Sequence, residues 1–167
     1  MIIHKKCNIF ESGADIICHQ VNCRGVMGSG LAKQVRERYP IVYEEYLKWC
    51  DENSPEELLG KSQYVPLVPM TDVAIGKYEQ GDLMGIINIF GQLNYGYNGK
   101  CYTDYKALRH SLTNVHTFCK LYAFNPVLAF PYKFGCARGG GDWEIVSEMI
   151  AEIFADCIVF ICEYDGG

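Results

Sequence analysis

Several features that define other protein classes are missing from this sequence of 167 residues. Its nine cysteines include no C-x-x-C pair and no cluster with histidine at zinc-ligand spacing, so we expect no structural metal. No apolar run approaches 18 residues, and no apolar signal core follows Met1, so we expect neither membrane insertion nor secretion. Basic residues number 15 against 20 acidic ones, and the net charge of −5 disfavours a long nucleic acid as main partner.

The sequence is rich in apolar residues, which make up 49% of the chain, and in glycine, with 17 residues. This apolar content is enough for a real core, and most cysteines lie inside apolar runs, where they act as small buried hydrophobes. Apolar segments alternate with helical patterns from end to end, without repeats or linkers. We therefore predict one α/β domain over residues 1–167, a monomer with reduced thiols in the cytoplasm.

Hydrophobic patterns predict the order of strands and helices. Many of the strand-like runs are apolar on successive residues, which is typical of a sheet covered on both faces. Apolar residues at helical spacing predict the helices, with Asp104 and Asp142 as N-terminal residues of the last two. The predicted strands are 1–8, 15–22, 63–66, 73–79, 85–90, 127–131 and 157–163, and the predicted helices are 31–39, 42–50, 105–122 and 143–155.

Two glycine-rich segments each leave a predicted strand and enter a predicted helix. The first, 18–32, has the spacing Gly25-x-x-Gly28-x-Gly30, which is neither a P-loop nor a Rossmann fingerprint. Alone, it fits a plain tight turn as well as a ligand loop. The second, 131–143, has four glycines within seven residues. If the two strands are neighbours, the loops face each other across a crevice and can hold a diphosphate on their backbone N–H groups.

Four segments together resemble a macrodomain: 8–9, 14–22, 26–32 and 135–144. The chain is most similar to the branch with the yeast-type ADP-ribose 1″-phosphate phosphatases and the terminal ADP-ribose glycohydrolases. The resemblance implies a three-layer α/β fold, with a mixed, mostly parallel sheet of about six strands flanked by helices. It also implies that ADP-ribose binds in a cleft over the strand ends, without a cofactor or metal.

The resemblance assigns binding roles residue by residue. Asn8 stands where the family carries the aspartate that accepts from the adenine amine, and Asn22 matches the asparagine at the distal ribose. Residues 26–31 and 135–139 match the two diphosphate loops. The ligand-binding residues implied in this way are Asn8, Ile9, Val21, Asn22, Val26, Met27, Gly28, Ser29, Gly30, Leu31, Gly135, Cys136, Ala137, Arg138 and Gly139.

The catalytic residues of the branch are only partly present. Gln92 stands where the glycohydrolases carry a lysine, and Gly139 stands where the human-type enzyme carries an aspartate, so lysine-based deglycosylation is not expected. His19 matches a histidine of the phosphatase, and an ordinary pKa of about 6.5 would let it transfer protons near neutrality. The alternative interpretation is that His19 is a core histidine whose hydrogen-bonding groups are satisfied by the protein. Asp142 is either a helix cap, a catalytic group or both.

Three further features have two interpretations each. Cys136 lacks the arginine spacing of a cysteine phosphatase and is better interpreted as packing than as a nucleophile. Arg138 either faces the ligand phosphates or is solvated, and the tyrosine-rich segment 95–102 is either a lid over the distal ribose or a self-packed surface loop. Tyr164 is a candidate for flanking the adenine ring.

The sequence therefore leads to one main hypothesis and two alternatives. The main hypothesis is a metal-independent hydrolase that binds ADP-ribose and removes the 1″-phosphate, with His19 and Asp142 as catalytic groups. The first alternative is a non-catalytic reader or scavenger of ADP-ribose. The second is a hydrolase that removes mono-ADP-ribose from a modified protein or nucleic acid. The expected partner is thus ADP-ribose, its 1″-phosphate or an ADP-ribosylated macromolecule, and not a membrane.

Overall fold

A six-stranded sheet forms the centre of the computed structural model, which describes residues 1–122 and 124–164. The strands are β1 (Ile2–Lys6), β2 (Ile16–Asn22), β3 (Ser62–Pro66), β4 (Gly85–Gln92), β5 (Leu128–Pro131) and β6 (Val159–Glu163). The helices are α1 (Gly30–Arg38), α2 (Pro40–Glu52), α3 (Pro55–Leu58), α4 (Met70–Ala74), α5 (Tyr105–Cys119) and α6 (Trp143–Ile153), and a short 3-10 turn covers Ile9–Glu11.

The strand order is β1-β6-β5-β2-β4-β3, and only the edge strand β3 runs antiparallel to its neighbour. This confirms the predicted mixed, mostly parallel sheet. Strands β2 and β5 are neighbours, with Ile16 paired to Leu128 and Ile17 to Ala129. Because both strands run in the same direction, the glycine-rich loops that follow them leave the same edge of the sheet.

Helices cover both faces of the sheet, which confirms the predicted three layers. Alternate residues of β2 point to opposite faces, so Ile16 packs in one core cluster and Ile17 in another. The Ile16 cluster contains residues of α5 and α6, such as Val115 and Val146. The Ile17 cluster contains Val35 of α1 and Val42 of α2. Continuous apolar strands are therefore explained by burial on both faces.

The predicted helix starts at Asp104 and Asp142 are confirmed. The Asp104 carboxylate accepts a hydrogen bond from the Ala107 N–H, and the Asp142 carboxylate accepts one from the Glu144 N–H. Pro40 separates the first two helices and is itself the first residue of α2, where its missing N–H costs nothing. In the described residues, no helix is both long enough and apolar enough to cross a membrane, and all nine cysteines are free thiols.

The strand predicted at 73–79 is wrong. The segment begins instead inside α4, and Gly76, with a φ of 76°, takes the left-handed conformation just beyond the end of the helix. Ile75 is 65% exposed, so Val73 and Ile75 do not form the buried face of a strand, although their spacing suggested one. The Tyr78 hydroxyl donates to the buried Asp15 carboxylate at 2.5 Å, which fastens the segment beside β2 rather than within the sheet.

Candidate ligand-binding cleft

A cleft of about 310 Å³ lies over the carboxyl ends of β2 and β5, where the two glycine-rich loops meet. This volume is at the lower end of the range for small-molecule sites. Of the residues predicted for the site, the cleft is lined by His19, Val21, Asn22, Val26, Gly28, Ser29, Gly30, Leu31, Gly135, Cys136, Ala137, Arg138 and Gly139. The two loops predicted to pinch one ligand are therefore brought together.

Four predicted residues do not line this cleft. The Asn8 side chain accepts from the Phe10 N–H at 3.0 Å and caps the 3-10 turn. Ile9 and Met27 are buried in two different core clusters. Asp142 is exposed at the start of α6. The roles of these four residues at the ligand stay predictions.

Asn22 shapes the first loop, residues 22–30, from the end of β2. Its amide nitrogen donates to the Val26 carbonyl at 2.8 Å, and its amide oxygen accepts from the Arg24 N–H at 2.9 Å. The buried Tyr46 hydroxyl lies 2.7 Å from the Asn22 carbonyl oxygen and accepts from the Gly25 N–H. Both groups of the Asn22 side chain are thus used to hold the loop, although one amide hydrogen remains for a ligand.

The first loop leads into the N-terminus of α1, which suits an anion. Ser29 is the N-cap residue, but among the described contacts its hydroxyl makes no capping hydrogen bond. The first turn, as described, has no acidic side chain. Gly30 has a φ of 59°, and a Cβ built there would meet no atom within 4 Å. The free N–H groups and positive dipole end of a nine-residue helix therefore face a space that a phosphate can occupy.

The second loop, residues 135–139, is held from beneath by residues far away in sequence. The Thr103 hydroxyl donates to the Gly135 carbonyl at 2.6 Å, and the Gly139 carbonyl accepts from the Thr103 and Tyr102 N–H groups. A Cβ at Gly139 would lie 2.4 Å from the Thr103 Oγ1 and 2.5 Å from the Gly135 oxygen. The loop thus requires glycine for its packing against the protein itself, in addition to the approach of a ligand.

His19 belongs to a chain of hydrogen bonds on the sheet face covered by α1 and α2. Its Nε2 lies 2.6 Å from the Asn88 Oδ1, the Asn88 amide donates to the Gln63 Oε1, and the Gln63 amide donates to the Glu45 carbonyl. A carbonyl can only accept, so it fixes the direction of every bond in the chain. His19 therefore carries its proton on Nε2, and its Nδ1 is a lone-pair acceptor.

The expectation that His19 titrates near neutrality is wrong. The side chain is 2% exposed, and burial lowers its pKa to about 4, although the hydrogen bond to Asn88 opposes this change. The imidazole is therefore neutral at neutral pH. Its Nδ1 is buried and has no hydrogen-bond partner among the described protein atoms. His19 can accept a hydrogen bond there, but it is not a strong general acid at neutral pH.

Cys136 and Gln92 both line the cleft, and neither side chain is a reactive group at neutral pH. Burial, followed by the nearby Asp142 carboxylate, raises the pKa of the Cys136 thiol to about 11. A thiol rather than a thiolate is present at neutral pH, which favours packing over nucleophilic attack. The Gln92 amide donates to the Asn94 carbonyl and accepts from Gln20, so it is fixed by the protein.

The segment 95–102 has features of both interpretations, a lid and a self-packed loop. Tyr95 and Tyr97 line the cleft, and the Arg138 guanidinium lies over the Tyr97 ring at 4.7 Å from its centroid. The Tyr102 hydroxyl also donates to the Asn98 side chain within the segment. Arg138 therefore connects this segment to the second loop at the cleft that both segments line.

The cleft has additional lining residues that were not among the predicted ligand-binding residues. Gln20, Ala32, Pro131, Tyr132, Lys133 and Phe134 lie within the two glycine-rich segments but were given no individual role, whereas the roles of Gln92 and of Tyr95, Gly96 and Tyr97 in the segment 95–102 were left open. Gln20 and Tyr132 lie at or just beyond the carboxyl ends of the strands that precede the two loops. This position was a usable signal, because ligands of open α/β sheets bind at that edge. Tyr164 is exposed and is not among the described lining residues, so its contact with adenine stays a prediction.

Comparisons with known proteins give the same fold. No family model matches the chain. The curated ADP-ribose 1″-phosphate phosphatase of Candida glabrata is 35% identical over 97 residues, which cover 57% of this chain and 49% of that protein. The chain thus spans about half the length of the first curated relative that it matches, and about a third of the second.

Two solved structures match nearly the whole chain. The macrodomain of Mycobacterium tuberculosis DarG has a TM-score of 0.74 at 22% identity, covering 98% of this chain and 97% of that one. DarTG of Thermosipho africanus, solved in complex with ADP-ribose, has a TM-score of 0.75 at 23% identity, covering 97% of this chain and 41% of that one. The predicted fold is confirmed by these two likenesses.

Proposed function

We propose, from the premise that this chain is a macrodomain, that it binds ADP-ribose in the cleft and hydrolyses the 1″-phosphate from the distal ribose. The observation that carries the proposal is the meeting of two glycine-rich loops over neighbouring strands, with the N-terminus of α1 facing the space between them. Backbone N–H groups of both loops would hold the diphosphate. We propose phosphatase activity because the similar protein of Candida glabrata is named an ADP-ribose 1″-phosphate phosphatase.

The proposed reaction gives His19 and Asp142 supporting roles in hydrolysis. Water attacks the phosphorus, the bond to the ribose oxygen breaks, and that oxygen takes up a proton that the water releases. The free Nδ1 of His19 would accept a hydrogen bond from the water or from a ribose hydroxyl. The Asp142 carboxylate, beside the second loop, would orient the water after the ligand has bound. Backbone N–H groups would stabilise the charge on the phosphate oxygens.

A non-catalytic ADP-ribose reader is the second candidate function, and specific observations favour it. His19 is neutral and already bonded to Asn88, Asp142 is not among the described residues that line the cleft, and the Gln92 amide is engaged by Gln20 and Asn94. A cleft with these properties can bind without turning over its ligand. Removal of mono-ADP-ribose from a macromolecule would require one of these groups to act as well.

Calorimetric titration with ADP-ribose and a phosphate-release assay with ADP-ribose 1″-phosphate test the proposal together. We expect binding and turnover in the wild type, with turnover unchanged by EDTA, and at least tenfold slower turnover in His19→Ala and in Asp142→Ser. Serine retains the helix cap but removes the carboxylate, so it separates the two roles of Asp142. Binding without turnover would reject the phosphatase and support the non-catalytic reader. Release of ADP-ribose from a modified macromolecule, without phosphate release from ADP-ribose 1″-phosphate, would favour the third function. Failure to bind ADP-ribose would reject all three.

The proposal also covers the state of the protein in the cell. Nine free thiols and an acidic chain fit a monomer in a reducing cytoplasm, as the sequence predicts. A single sheet holds the whole cleft, so one copy would suffice for binding.

A further inference from the structure

The Gln20 side chain lies beneath the second loop, on the sheet face covered by α5 and α6. Its amide fills space that three glycines leave open: a Cβ at Gly91, Gly135 or Gly139 would come within 2.4, 2.9 and 2.8 Å of Gln20 atoms, respectively. Real Cβ atoms do not approach other atoms so closely. Glycine at these three positions, drawn from β4 and the second loop, therefore makes room for one amide group.

Two backbone carbonyls fix the direction of the hydrogen bonds around Gln20. The Gly135 carbonyl accepts from the Thr103 hydroxyl at 2.6 Å, and the Asn94 carbonyl accepts from the Gln92 amide at 2.8 Å. The Gln92 Oε1 and a lone pair of the Thr103 Oγ1 are then left as acceptors. The Gln20 Nε2 donates to both of them, at 2.7 and 2.9 Å. Both hydrogens of its amide nitrogen are thus used.

The orientation of the Gln20 amide that makes these two bonds is unfavourable for its oxygen. Its Oε1 is buried and has no hydrogen-bond partner among the described protein atoms. A buried acceptor without a partner is unfavourable, so the two donated bonds must dominate the choice of orientation. They join β2 to the segment 92–94 on one side and, through Thr103, to the second loop on the other.

We infer that Gln20, Gln92 and Thr103 form a polar clamp that positions the second loop for the diphosphate. This inference rests on the proposed binding of ADP-ribose. Thr103 is the central member, since its hydroxyl bonds Gly135 and its backbone N–H bonds Gly139, the two ends of the loop. Thr103 acts on the loop backbone directly, whereas Gln20 and Gln92 act on it through Thr103, so all three are positioning residues. Gln92, at the place of the glycohydrolase lysine, is a member of the clamp.

The test compares Thr103→Val, which has the same shape but no hydroxyl, with Thr103→Ser, which restores the hydroxyl. Thr113→Val is the matched control, because in the described contacts the Thr113 hydroxyl makes one local bond, to the Arg109 carbonyl, on an exposed part of α5. We expect Thr103→Val to weaken binding of ADP-ribose and of ADP by about tenfold, and Thr103→Ser and Thr113→Val to remain within about twofold of the wild type.

Hydrogen–deuterium exchange of the ligand-free protein separates the clamp from the proposed function. The N–H groups of Gly141 and Tyr102 bond carbonyls of Gly135 and Gly139, so we expect them to exchange faster in Thr103→Val and at the wild-type rate in Thr103→Ser. Unchanged exchange would overturn the clamp whatever the protein binds. Faster exchange with unchanged ADP-ribose affinity would overturn its positioning role. A wild type that binds neither ADP-ribose nor ADP would reject the proposed function, while exchange would still decide the clamp.

Discussion

His19 shows how a single side chain can have its protonation decided by the fold. The Glu45 carbonyl, through Gln63 and Asn88, fixes the proton on Nε2, and burial keeps the ring neutral. The pKa falls from about 6.5 in the unfolded chain to about 4 in the folded one. Between these two values the unfolded chain binds a proton that the folded chain does not bind, so His19 makes the protein less stable as the pH falls.

The direction of this effect leads to a prediction about stability. Above pH 6.5 the contribution of His19 is fully present, and it is lost as the pH falls toward 4. Between pH 7.5 and 5 the loss in the free energy of unfolding corresponds to about 2 kcal/mol. Urea unfolding at the two pH values should show this loss in the wild type and a smaller loss, by about 2 kcal/mol, in His19→Gln. His4→Gln on the exposed face of β1 should retain the wild-type loss. Equal losses in all three proteins would contradict the neutral His19.

At the scale of elements, local patterns predicted what local interactions decide. The starts of α5 and α6 were predictable because Asp104 and Asp142 cap residues two or three positions away. The helix at Met70–Ala74 was not, because the bond from Tyr78 to Asp15 that holds this region joins residues 63 positions apart. The same holds for the second loop, whose Gly135 is held by Thr103, 32 positions away. The glycines of this loop were evident from the sequence, but the distant side chains that pack against them, such as Thr103, were not.

The first loop differs from the second, and the difference can be tested with Gly28→Ala. A Cβ at Gly28 would meet its nearest atom, in Val26, at an ordinary 3.6 Å, so the fold should tolerate it. The same Cβ would stand between the loop backbone and a bound diphosphate. We expect the melting temperature to stay within about 2 °C of the wild type while ADP-ribose affinity falls roughly 10- to 100-fold. Glu37→Ala, on the exposed side of α1, should change neither quantity. Undiminished affinity in Gly28→Ala would mean that the ligand does not approach this loop.

At the scale of the whole molecule, the charge distribution favours a small nucleotide over a polymer as the ligand. The net charge is −5, yet Lys133 and Arg138 line the cleft, and Arg24 bonds Asn94 at the nearby segment. A ligand held mainly by backbone N–H groups releases few counterions, whereas a protein that contacts many phosphates loses about a thousandfold or more in affinity between 50 and 200 mM salt. We expect the Kd for ADP-ribose to rise less than about threefold over that range, and a single-stranded 20-mer of DNA without ADP-ribose not to compete at either salt concentration.

Calorimetry at both salt concentrations measures the Kd for ADP-ribose, and displacement of a labelled ADP-ribose measures competition by the DNA. A steep salt dependence, or competition by plain DNA, would mean that side-chain cations rather than the loop backbones carry recognition.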